Sequence, residues 1–126
     1  MSLQRRKVIA DAVKRGFGCI SNTLRLSSRS GRLLLTYRES NGHVASEYCR
    51  LIVRTSDDAG HTWSAPAPIA TISECSIYPG SLTTLSDGRL LLNWSCYRDA
   101  NSAAPWREAF YALSADHGHT WSAPRR

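Results

Sequence analysis

A chain of 126 residues with 42% hydrophobic content has the size and composition of one small globular domain. No apolar run approaches the ~20 residues of a membrane-spanning helix, so no membrane partner is expected. The net charge of +6 rests mostly on scattered arginines, with only Lys7 and Lys14 as lysines. A nucleic-acid binder needs a clustered basic face or a recognition motif, and neither is present.

Residues 1–15 form a basic extension holding Arg5, Arg6, Lys7, Lys14 and Arg15. Its apolar stretch Val8-Ile9-Ala10 is too short for a secretory signal, and the compartment stays unassigned. Asp11 to Lys14 reads equally as a short helix or an edge strand. From Gly16 onward the chain organises itself. Ile20 to Leu26 is a predicted strand, Ser30-Gly31 a turn, and Arg32 to Arg38 the next strand. The loop Glu39 to Ser46 follows, then a third strand from Tyr48 to Thr55. The segment Ser56-Asp57-Asp58-Ala59-Gly60-His61-Thr62-Trp63 is a turn, and a fourth strand runs from Thr62 through Ile69.

The second half repeats this order. Ser81 to Leu85 is a strand behind Pro79-Gly80, and Ser86-Asp87-Gly88 is a hairpin turn, since Asp-Gly suits the twist of tight hairpins. Arg89 to Tyr97, a polar loop from Asp99 to Pro105, and Trp106 to Ser114 come next. Ser114-Ala115-Asp116-His117-Gly118-His119-Thr120-Trp121 then restates the first turn 58 positions later, and a fourth strand begins near Thr120. The Gly-Arg-Leu-Leu-Leu step recurs after 57 positions, Gly31 to Gly88. Two landmarks sharing nearly one period make the chain two copies of one unit. The odd residue belongs in the Asp99–Pro105 loop, because a one-residue slip inside a strand turns every side chain to the wrong face. Four short antiparallel strands per unit describe a propeller blade. The expected units are residues 16–70 and 71–126.

The repeated turn has a structural logic. Asp58 and Asp116 offer short carboxylates to backbone N–H groups, and Ser56 and Ser114 add hydroxyl bonds. Gly60 and Gly118 supply positive φ. Thr62 and Thr120 complete the pattern, and Trp63 and Trp121 bring apolar area to clamp the turn. His117-x-His119 has a metal-ligand spacing, but it falls inside this turn and His61 stands alone in the first copy, so no metal or other cofactor is expected. Cys19, Cys49, Cys75 and Cys96 lack C-x-x-C spacing and read as small buried hydrophobes, with no disulfide.

This pattern resembles the sialidase-type propellers, whose hallmark is the Asp-box, or bacterial neuraminidase repeat. The boxes here are residues 56–63 and 114–121. The resemblance implies an all-β fold, two four-stranded antiparallel blades of a six-bladed β-propeller, with the Asp-boxes as fold elements. Two blades do not close a ring. The chain is then a section of a longer propeller, a homotrimer of two-blade chains, or a species that dimerises or aggregates.

The family's activity implies an exo-glycosidase: three arginines on a carboxylate, an Asp acid/base, and a Tyr nucleophile assisted by Glu. The first arginine lies in an Arg-Ile-Pro motif. The matching stretches here, Cys19-Ile20-Ser21-Asn22 and Ser76-Ile77-Tyr78-Pro79, contain no arginine. The catalytic candidates left are Glu39 and His43 in the first unit and Asp99 in the second. The recurring step Tyr37-Arg38 and Tyr97-Arg98 supplies candidate substrate-binding residues, because guanidinium forks match carboxylates. The expectation is a partial sialidase-like propeller acting on or binding glycans, acidic ones included, and inactive as this chain alone. The rival is a non-catalytic module binding carbohydrate or protein.

Overall fold

The computed structural model describes residues 22–26, 32–41, 49–72, 75–98 and 103–126. The basic extension 1–15, with its helix-or-strand alternatives, lies outside them, as do Cys19, His43 and Asp99. The described residues form strands alone: β1 (Asn22–Leu26), β2 (Leu33–Ser40), β3 (Cys49–Ser56), β4 (Ala67–Ile72), β5 (Ser76–Thr84), β6 (Leu90–Arg98) and β7 (Trp106–Ser114). They make two antiparallel sheets, one ordered β1-β2-β3-β4 and the other β5-β6-β7. The fold is all-β, as the repeated order of strands and turns predicts. The second sheet has three strands among the described residues rather than the four expected. Where the fourth would start, an isolated bridge joins Tyr111 to Arg125.

Two strands begin well away from where the sequence reading starts them. β4 begins at Ala67, not Thr62, because Thr62 and the residues after it are still closing the turn and crossing to the sheet edge. β5 begins at Ser76 and runs through Pro79 and Gly80, which were expected to precede the strand. Proline is tolerated there because β5 is an edge strand. The ladder slips between Pro79 and Leu82, and Asn93 fills the gap. Its Oδ1 accepts from Ser81 N at 2.9 Å and its Nδ2 donates to Ser81 Oγ at 2.8 Å. A side chain on Gly80 would collide with Asn93.

The two sheets stack face to face. Leu34, Leu51 and Val53 of the first sheet join Ile77, Leu82, Leu90, Leu92, Trp94 and Ala112 of the second in one buried cluster. Each leucine, isoleucine or valine among them, removed from water, contributes roughly 1.5–3 kcal/mol before entropy is counted. The stacking is head to tail. Tyr37 pairs with Ile52 as Trp94 pairs with Phe110, so the repeat aligns position by position. The face that the first sheet turns inward, bearing Leu34, Leu51 and Val53, corresponds to the outward face of the second, bearing Leu91, Ala109 and Tyr111. The first sheet's other face carries Leu35, Tyr37 and Ile52, which are also buried and pack with Trp63. A two-fold sandwich would bury like faces against each other, whereas this arrangement buries unlike faces.

Polar contacts lock the same interface. Arg32 forms a two-pronged pair with Asp57, Nε to Oδ1 at 2.6 Å and Nη2 to Oδ2 at 3.1 Å, and its Nη1 donates to the His117 carbonyl at 3.2 Å. One guanidinium thus ties the first turn to the second. Arg89, its counterpart, turns back onto Asp87 of its own hairpin instead, since Ala115 replaces Asp57 in the repeat.

Gly118 closes the interface at the second turn. Its φ is +88°, and a Cβ there would collide with Leu34. Gly60 has φ +87° but only ordinary contact, with Leu33 at 3.4 Å. Gly60→Ala should therefore cost roughly 1–2 kcal/mol of backbone strain. Gly118→Ala should cost that plus about 1–3 kcal/mol of overpacking. Urea unfolding of the two variants, compared with the parent, checks the inequality; equal losses would deny the close approach.

Candidate functional site

The two Asp-box turns are built alike. Asp58 Oδ1 accepts from Thr62 N at 2.8 Å and from Ser56 Oγ at 2.8 Å, and its Oδ2 accepts from Thr62 Oγ1 at 2.5 Å. Asp116 repeats this with Thr120 N at 2.8 Å, Thr120 Oγ1 at 2.6 Å and Ser114 Oγ at 2.9 Å. Ser56 and Ser114 Oγ each accept from the glycine N–H four residues on, at 2.8 Å. The residue before each glycine is also left-handed, Ala59 at φ 55° and His117 at φ 57°. A tight turn with two successive left-handed residues needs its amides captured: the serine hydroxyl takes the glycine N–H and the carboxylate takes the threonine N–H. The indole N–H of Trp63 donates to the Gly60 carbonyl at 3.1 Å, while Trp121 packs against the main core.

Donors to the charged form hold both carboxyls below their ordinary range: first the threonine hydroxyl and amide, then the serine hydroxyl. Asp58 lies well below it, and Asp116 falls to about 2. A group held ionised to low pH and fully engaged in its own turn is a poor proton donor near neutrality. The turns are fold elements, as their repetition implies.

The chain matches the BNR repeat-like domain over residues 4–126. It belongs to that family. The two Asp-boxes are therefore those of a sialidase-type BNR repeat. No curated protein matches the chain.

The candidate ligand residues of this BNR repeat do not sit as the recurring Tyr-Arg step suggests. By strand pairing Tyr37 corresponds to Trp94, so Tyr97-Arg98 lies three positions further along its strand than Tyr37-Arg38. Three is odd, so the faces invert. Tyr37 is buried on the outer face of the first sheet beside Leu35 and Ile52, and Arg38 points to the inner face. Tyr97 shares the outer face of the second sheet, and Arg98 its inner one. The Tyr37 hydroxyl is buried without a hydrogen-bond partner among the described residues, which suits a packing role.

Arg38 is itself buried. Its Nη1 donates to the Ile77 carbonyl at 3.4 Å, and its guanidinium lies 4.8 Å from the centre of the Tyr78 ring. Tyr78 stacks on Tyr97 at 5.2 Å and 18°, with their hydroxyls 3.0 Å apart. Arg107 caps the far side of Tyr97 at 5.8 Å. The result is a row, Arg38-Tyr78-Tyr97-Arg107, across the end of the second sheet where β6 finishes. Arg98 ends β6 at the same place, its partner being Trp106 at the start of β7. Cation–π contacts of this kind are each worth about 0.5–2 kcal/mol.

Sequence reasoning singled out Arg38, Tyr97 and Arg98 but missed Tyr78 and Arg107. Tyr78 stood in a stretch read only for a missing arginine. Arg107 becomes the cross-strand partner of Tyr97 only once the Asp99–Pro105 loop sets the register.

Of the catalytic candidates, the structure describes Glu39. It is fully buried, and Arg50 grips its Oε2 through Nε at 2.7 Å and Nη2 at 2.6 Å. It faces the side of the first sheet opposite Arg38, so the two do not share a site. Cys49, Cys75 and Cys96 are buried thiols, Cys49 Sγ accepting from Ile77 N at 3.3 Å, and burial pushes the Cys96 thiol up to about 11. No group of three metal-binding side chains converges among the described residues.

The depressed carboxyls tie the fold to pH. Their folded-state values lie below the unfolded value near 4, so their stabilisation is complete above pH ~4 and is lost as pH falls toward 2. Melting temperature should drop across that window. Asp116→Asn should lower stability at pH 7 and flatten the drop, which melts at pH 7, 4 and 2.5 would show. An unchanged acid slope in that variant would remove Asp116 as its source.

Proposed function

We propose that the chain forms two adjacent blades of a sialidase-type propeller, and that it recognises acidic glycans without hydrolysing them. Support for the propeller comes from the head-to-tail stacking: the same step applied again carries the sheets round an axis instead of closing a sandwich. Support for recognition comes from the Arg38-Tyr78-Tyr97-Arg107 row. It pairs flat aromatic surface with guanidinium groups at one end of the second sheet, and Arg107 there is exposed. Carboxylates suit arginine forks, and sugar rings suit aromatic faces. Arg38 is committed to the Ile77 carbonyl and to Tyr78, so it positions the row. Arg107 is the residue that reaches a ligand; Arg98, on the adjacent rung with Trp106, faces the inner side.

Hydrolysis is the weaker reading because of Glu39. A catalytic acid needs access to its substrate and a pKa near working pH. Glu39 is sealed and doubly paired with Arg50, away from the row. The outer face of the first sheet, where Leu35, Tyr37 and Ile52 pack with Trp63, is the face any further blade would have to meet, whether from a longer chain or from another copy. Light scattering should give the mass of a single chain; a threefold mass would restore the homotrimer.

Binding is tested with a sialylated oligosaccharide and its desialylated counterpart by calorimetry. The sialylated ligand should bind more tightly, and Arg107→Ala should weaken it about tenfold while the chain stays folded, as an unchanged circular-dichroism spectrum would show. A fluorogenic sialoside should not turn over. Equal binding of both sugars would overturn the acidic-glycan reading, and turnover abolished by Glu39→Gln would restore the enzyme.

A further inference from the structure

Tyr78 and Tyr97 meet in a way that their strands dictate. Tyr78 pairs with Ser95 across β5 and β6, and Tyr97 with Ser76. The two tyrosines therefore lie diagonally on one face, within reach of each other for long aromatic side chains. Their rings stack at 5.2 Å and 18°, and one hydroxyl donates to the other at 3.0 Å. Both residues are half-buried. Among the described residues no other two tyrosines are so placed, and the Tyr37 hydroxyl is buried with no partner among them.

The fold of the unit does not require this pair. By strand register Ser40 holds the position in the first unit that Tyr97 holds in the second. The stretch matching Ser76-Ile77-Tyr78-Pro79 has Ser21 in place of Tyr78. The pair is thus private to the second unit. There the guanidinium of Arg38 lies 4.8 Å from the Tyr78 ring centre and that of Arg107 lies 5.8 Å from the Tyr97 ring centre. The row places a cation at each end and the two phenols against each other between them.

A phenol that gives up one electron and its O–H proton becomes a tyrosyl radical, with unpaired density on the oxygen and on the ring carbons beside it. Stacked rings with hydroxyls 3.0 Å apart bring those carbons of the two residues together. Holding two reactants in the orientation of their bond turns a bimolecular coupling into an intramolecular one. The carbon next to the hydroxyl on one ring bonds to its counterpart on the other, and the hydrogen each carbon carried moves to the phenol oxygen. The pair loses two electrons and two protons in all. One hydrogen peroxide accepts them and becomes two waters.

We propose that Tyr78 and Tyr97 are an oxidative cross-linking site, joined as dityrosine by hydrogen peroxide acting through a one-electron oxidant such as a haem peroxidase. The bond ties β5 to β6 at the end of the hairpin far from the Ser86-Asp87-Gly88 turn. The ladder slips between Pro79 and Leu82, so the staple holds the rungs beyond that break. A cross-link between residues 19 apart in sequence restricts the unfolded chain, as a disulfide does. The approach of the two rings is set within one hairpin, and the proposal does not depend on the glycan reading.

The whole chain, at low concentration, is exposed to hydrogen peroxide and a haem peroxidase. After disulfide reduction and trypsin, residues 90–98 should appear joined to residues 55–89 with the loss of two hydrogens. The product should show dityrosine fluorescence and unfold at a higher urea concentration than the untreated chain. Tyr78→Phe and Tyr97→Phe should each abolish the linked peptide while keeping the parent's circular-dichroism spectrum. No linked peptide under conditions that dimerise free tyrosine would overturn the site. So would cross-links found mainly between chains and rising with protein concentration. A linked peptide that survives in either phenylalanine variant would show that other residues carry the bond.

Discussion

The structure depends on one face of a sheet fitting the opposite face of its own repeat. Leu34, Leu51 and Val53 lie against Leu90, Leu92 and Trp94, and each set is displaced by one position in the repeat from the set it covers. Adjacent residues of a strand face opposite ways, so a single repeated sequence writes both complementary surfaces. The Gly-Arg-Leu-Leu-Leu step shows this most compactly. Leu34 points to one face while its neighbours Leu33 and Leu35 point to the other, and the same holds for Leu91 between Leu90 and Leu92.

The Asp-box serves this packing more than it serves chemistry. It brings Gly118 against Leu34, closer than any side chain allows, and exposes the His117 carbonyl to Arg32. The carboxylate's work is internal: it holds the threonine N–H and hydroxyl and the serine hydroxyl around a turn that runs through two left-handed residues. A carboxylate with three donors on it makes a rigid turn, and both copies keep it. The two boxes differ in how they meet neighbouring elements. Trp63 bonds its own turn, whereas Trp121 joins the core between the sheets.

The cationic and aromatic row arises from the same interface. Arg38 reaches across from the first sheet to the Ile77 carbonyl of the second, and Tyr78 relays the contact through Tyr97 to Arg107. A recognition surface that borrows one end from each sheet exists only while the two are stacked. This couples the proposed ligand site to the packing of the core.

Much of this was legible in the sequence. The duplicated Ser-x-Asp-x-Gly-x-Thr-Trp turns, the all-β class and most strand positions follow from local rules: a carboxylate two residues before a glycine, Asp-Gly at a hairpin, apolar runs between turns. Such features depend on neighbours a few positions away, so the chain carries them on its surface as text. Three matters were decided only by tertiary structure. The Tyr-Arg steps looked equivalent, but strand pairing set them three positions apart and on opposite faces. Glu39 looked like a loop acid, but β2 runs through Ser40 and folds it into a buried pair with Arg50. Arg107 and Tyr78 joined a site that no local motif announced. Register and stacking depend on loop length and on which faces meet, and both are settled by contacts between residues far apart in the chain.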